Sequence, residues 1–115
     1  MMKFKTDKLR EEFIKLDPRI KRITEALDAI LYAKYGIHAI ITSVYREDQK
    51  SPHHYYRAVD VRSRDLKATA CVFLEAIINV MFPYDNGFYK TVIHHNAGSG
   101  YHFHIQVKVE SEEKK

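Results

Sequence analysis

The chain contains a single cysteine, Cys71, so no internal disulfide can brace the fold. That cysteine lies in an apolar run, where a buried and inert thiol is expected. No uninterrupted apolar stretch approaches the roughly 18 residues of a membrane span. Residues 1–8 carry charge but no apolar leader segment, so the chain is expected to be made and folded in the cytosol. Repeats and internal linkers are also missing. At 115 residues the chain is expected to form one domain, 1–115, with a charged tail over 110–115. Charge of one sign is scarce: the net charge of +4 and a pI near 9.1 permit a polyanionic partner such as nucleic acid or cell-wall polymer without requiring one.

What is present reads as an ordinary soluble protein, 45% hydrophobic and 30% charged. Residues 7–16 suit a short helix with Leu9, Phe13 and Leu16 inward. Asp17-Pro18 then reads as an N-cap followed by proline at the first helical position. From there Ile20, Ile23, Leu27, Ile30, Leu31 and Tyr35 recur at helical spacing as far as Gly36. Ile37 to Tyr45 and Ala58 to Arg62 are β-branched and alternating, as strands require. Asp65 is the expected cap of a helix running from Leu66 to about Phe82. Its apolar positions surround nearly the whole cylinder, which predicts a buried helix stopped by Pro83. After turn residues Tyr84-Asp85-Asn86-Gly87, strands over Tyr89 to His95 and Tyr101 to Val109 are joined by the hairpin loop Asn96 to Gly100. This order predicts a small α+β domain: an antiparallel sheet with helices packed on one side and a shallow cleft on its open face.

The chemistry-bearing residues fall in two distant stretches. His53 and Asp60 are seven residues apart in the first. In the second, the alternation of Tyr101-His102-Phe103-His104-Ile105-Gln106-Val107 puts both imidazoles on one strand face and Phe103, Ile105 and Val107 on the other. A hydrolytic zinc site needs about three ligands drawn from His and Asp/Glu, with a position left for water. His53, Asp60 and one of His102 and His104 meet that count, and the remaining histidine would stand beside the metal to move protons.

These residues resemble a known family. Ser51-x-His53 with Ala58-x-Asp60, followed by His102-x-His104, is similar to zinc peptidases that include D-alanyl-D-alanine carboxypeptidases, vancomycin-resistance D,D-dipeptidases and phage L-alanyl-D-glutamate endolysins. Their pattern is Ser-x-His-x-x-Gly-x-Ala-x-Asp with a closing His-x-His or Glu-x-x-His. Ser43-Val44-Tyr45-Arg46, with Gln49 close behind, resembles the family's Ser-Gly-Tyr-Arg segment. The resemblance spans about residues 38 to 107. It implies the hedgehog/DD-peptidase fold, one zinc held by His53, Asp60 and His104, and His102 as the catalytic group. It also implies that Arg46, Tyr45, Ser51 and Gln49 face a substrate drawn from the peptidoglycan stem.

Two positions depart from the family pattern. Tyr56 replaces the glycine between the first two ligands, and Tyr101 stands where many members place a glutamate base. Proton transfer would then fall to His102, or to Glu47 or Asp48 from the loop. The setting implied is phage or prophage lysis, with the cell wall reached after release through lysis, a holin-like partner or a larger particle. No nucleic-acid partner and no membrane span are expected. One alternative is a zinc-binding relic used for recognition or structure. Another is a single-strand DNA nicking enzyme of the His-hydrophobic-His type, although no tyrosine follows His104 to serve as its nucleophile.

Overall fold

The computed structural model describes residues 2–84, 90–96 and 100–108. The expected turn at 85–87, Tyr89, the loop centre 97–99, Val109 and the tail 110–115 lie outside them. The elements run β1 (Lys3–Phe4), α1 (Asp7–Ile14), α2 (Pro18–Tyr35), β2 (Ile40–Ser43), a 3-10 turn (Pro52–Tyr55), β3 (Ala58–Arg62), α3 (Ala68–Met81), β4 (Val92–Asn96) and β5 (Tyr101–Gln106). The sheet order is β1-β2-β3-β5-β4. The α+β class is as expected, and β2, β3, β5 and β4 pair antiparallel throughout. The short β1 adds a parallel edge beside β2, which two residues are too few to announce by periodicity.

Local chemistry explains the first half. Asp17 accepts the backbone N–H of Arg19 at 2.9 Å and carries Pro18 at the first turn of α2. Gly36 closes that helix in the left-handed region at φ 70°. Ile20, Ile23, Leu27 and Leu31 are buried along one stripe, as their spacing predicts. β2 is shorter than the Ile37–Tyr45 expectation because side chains claim the backbone at both ends. Asp28 takes the amide of Ala39 at 2.7 Å, and the carbonyl of Val44 bonds His53. All three helices and one sheet face share a single core that includes Phe13, Leu27, Leu74, Val59, Val61, Phe103 and Ile105.

The third helix corrects two expectations. Leu66 closes a turn onto the carbonyl of Ser63, so Asp65 stays exposed; α3 starts only at Ala68, and Lys67 at its N-cap gives no side-chain hydrogen bond. Nor is α3 buried all round. Ala70, Cys71, Leu74 and Ile78 face the core, while Val72, Phe73, Val80 and Met81 are exposed. With helices on one side of one sheet, no further layer among the described residues covers the outer face. Cys71 is buried as expected, and that burial pushes its thiol pKa up. Among the described residues no helix is long and apolar enough to cross a membrane.

Tyr56, just before β3, adopts φ 57° and ψ 31°, in the left-handed region. The left-handed turn is therefore made without a glycine. Two contacts hold it: the Tyr56 carbonyl accepts the N–H of Asp17 at 2.9 Å, and the ring stacks on Tyr45 with centroids 5.2 Å apart. Tyr56→Ala and Tyr56→Gly remove the same ring but differ in the cost of that conformation. The alanine variant is expected to be less stable than the glycine variant by about 1 kcal/mol. Denaturant midpoints of the pair measure it, and equal midpoints would show that the left-handed turn is not retained.

Candidate metal centre

Each donor is brought to the site by a local device. Ser51 accepts the backbone N–H of His53 at 3.2 Å and starts the 3-10 turn, with Pro52 in its first position. That turn drives His53 inward until the ring is fully buried. Its Nδ1 lies 2.7 Å from the Val44 carbonyl and must donate to it, because a carbonyl only accepts. The proton is thus on Nδ1 and the Nε2 lone pair is free. Nε2 is buried, 3.3 Å from Asp60 Oδ1, yet has no hydrogen-bond partner among the described residues.

Asp60 and His104 are directly opposite each other on β3 and β5. His104 Nδ1 lies 3.2 Å from Asp60 Oδ1, and its Nε2 lies 3.1 Å from Gln106 Oε1. The Gln106 amide is oriented by donating to the Lys90 carbonyl at 3.0 Å, so its oxygen accepts the Nε2 proton of His104. His104 Nδ1 therefore also turns a lone pair toward Asp60. The three ligand atoms of His53, Asp60 and His104 lie within 4.8 Å of one another. Converging lone pairs repel unless a cation lies among them, and a proton can serve only one pair. The group could hold a metal ion.

Protons can take the place of a cation at this convergence: burial, the largest single influence on Asp60, pushes its pKa up, but hydrogen bonds from His104 and His53 and the charges of His53 and His102, when those rings are protonated, outweigh it. The carboxyl is held well below the usual range. Arg46 bonds Oδ2 at 2.5 Å from a side chain that is 44% exposed, leaving Oδ1 to the imidazoles. His102 Nε2 stands 3.6 Å from Oδ2 and is buried.

Tyr45 stacks on Tyr56 at the rim and lies 5.6 Å from His54, which bonds the Arg46 carbonyl. Ser51 is engaged in shaping the turn. Gln49, Glu47 and Asp48 lie in the exposed loop, where Asp48 accepts the Lys50 amide. Tyr101 stacks on His94 at 5.3 Å and is 60% exposed.

Sequence reasoning missed Gln106, the Val44 carbonyl and His95. His95 pairs opposite His102, with ring centroids 4.8 Å apart, and 6.0 Å separates it from His104. Burial first, then the neighbouring imidazoles, hold its pKa below the usual value, so it stays neutral. Its neighbour His94 instead faces Ser63, 2.8 Å away. The strand parity that placed His102 and His104 would have separated His95 from His94 only once the hairpin register was known. No protein-family model matches the chain, and no curated protein matches it.

Proposed function

We propose that the protein is a zinc peptidase that hydrolyses a peptide bond of the peptidoglycan stem. The observation that carries this reading is the convergence of His53 Nε2, Asp60 Oδ1 and His104 Nδ1, with both imidazole protons turned outward and a further histidine alongside. Two neutral imidazoles and one carboxylate are a donor set suited to zinc, and hold it with net positive charge. Zinc bound there supplies Lewis-acid polarisation of a carbonyl and activation of water at neutral pH.

The chain's own residues supply the rest. His102 takes a proton from water and returns it to the leaving amine in this reading, which the nearness of Asp60 Oδ2 to its Nε2 supports by steadying the charged form. Arg46 uses one nitrogen on Asp60; the guanidinium's other N–H groups remain for a substrate carbonyl or carboxylate. Gln106 and the Val44 carbonyl fix the tautomers of the two ligands. His102 rather than Glu47 or Asp48 carries the proton, because it alone of the three stands against Asp60.

The biological setting that suits this activity is phage or prophage lysis. Protein purified without chelator is expected to contain about one zinc per chain, and to release stem-peptide fragments from purified peptidoglycan, read by mass spectrometry. Chelation should stop the release and added zinc restore it. One zinc per chain with no cleavage of any stem bond would replace the peptidase with a zinc-binding relic, and absence of zinc after reconstitution would remove the metal centre itself.

A further inference from the structure

Beside the metal centre is a pocket of about 210 Å3 lined by Lys5, Thr42, Arg62, Arg64, Gly100, Tyr101 and His102. Three of these are permanent cations and none is an acid. Lys5, Arg62 and Arg64 make no ion pair and no side-chain hydrogen bond among the described residues, in contrast to Arg10, Arg19 and Arg46, which are all paired with aspartates. Three uncompensated cations in one hollow repel one another, and a bound anion relieves that repulsion.

The fold fixes where this hollow lies relative to the chemistry. Arg62 pairs with His102 across β3 and β5, as Asp60 pairs with His104 one step away. The step is two residues along the strands, roughly 7 Å. Lys5 follows β1, and its N–H bonds the Ile41 carbonyl, which brings it to Thr42 on the open face. His102 is common to the pocket and to the metal centre. Seven ångströms is also about two residues of extended peptide.

We infer that Lys5, Arg62 and Arg64 form an anion subsite that selects a peptide carrying a free carboxylate within about two residues of the bond to be cut. The inference rests on the peptidase reading and adds the substrate class: stem peptides with a free carboxylate at that distance, rather than their amidated forms. At about 210 Å3 the pocket has room for a carboxyl-bearing side chain. Guanidinium pairs suit a planar carboxylate, which they bind through two parallel hydrogen bonds.

The test compares two synthetic stem peptides that differ only in carboxylate against carboxamide, with the zinc-loaded protein. Cleavage gives kcat/KM, and calorimetry with the same peptides gives affinity whether or not cleavage occurs. The carboxylate form is expected to be favoured about tenfold at low salt, mostly through KM, with the preference shrinking as salt screens the exposed cations. Arg62→Gln, and separately Lys5→Gln with Arg64→Gln, should bring the ratio toward one while zinc content and melting temperature stay as in the parent. Equal cleavage of both peptides by the parent would overturn the subsite and leave the peptidase standing. If neither is cleaved, the peptidase reading fails, and equal affinities in calorimetry then overturn the subsite as well. Tighter binding of a single-stranded oligonucleotide than of either peptide, lost in the same variants, would assign the pocket to phosphates and overturn the peptide inference.

Discussion

Asp60→Ala is expected to abolish metal binding while leaving the fold in place. Asp60 is the only anionic donor of the group and the point on which His53, His104, His102 and Arg46 converge. Without it, two neutral imidazoles remain, and nothing in the buried centre offsets the charge of a dication. The loss in zinc affinity should exceed the roughly 10–100-fold that follows removal of an outer-shell partner. Gln106→Leu, which frees the His104 tautomer but removes no ligand, should fall within that smaller range. The apo variant should still fold, because the imidazoles can stay neutral and Arg46 can turn to water. Its stability is expected to lie within about 3 kcal/mol of the apo parent. The readouts are zinc content, and melting with and without zinc: the parent gains stability from the metal and the variant does not. An Asp60→Ala protein that keeps one zinc per chain would show that another set of donors holds it.

His102→Gln should separate binding from chemistry. Its ring is not among the three converging donors, so zinc content is expected to remain at one per chain. If His102 carries the proton between water and leaving amine, kcat should fall by about 10²–10⁴, near 3–5 kcal/mol of barrier, with KM little changed. Glutamine keeps polar size and hydrogen-bonding capacity but cannot exchange a proton near neutral pH. Single-turnover cleavage of a stem peptide by parent and variant gives the ratio. A variant with near-parental kcat would move the proton to another group, and His95, whose ring centroid lies 4.8 Å from that of His102, is a neighbouring imidazole outside the donor set.

The elements most legible in the sequence were those with a local cause. Asp17-Pro18 and Gly36 bracket α2, because a cap and a left-handed terminus are set by the residues that form them. The alternation in Tyr101–Gln106 gave the two faces of β5 correctly, and with Ala58–Arg62 it put His104 and Asp60 on the same side. Composition misled over α3. Apolar residues all round the helix signal burial only if something lies on every side, and here Val72, Phe73 and Val80 are left exposed among the described residues.

By itself the sequence determined an α+β fold, the strand faces, and a donor set of His53, Asp60 and one of His102 and His104. These follow from periodicity and from residue chemistry, both local properties. Tertiary structure decided how the donors are presented. That the lone pairs of His53 and His104 face Asp60 depends on the Val44 carbonyl and on Gln106 held by Lys90. That Lys5 reaches Arg62 and Arg64 depends on a two-residue parallel strand, and that His95 meets His102 depends on a hairpin register. Such pairings join residues far apart in the chain, and their energies depend on distances that spacing in one dimension does not contain.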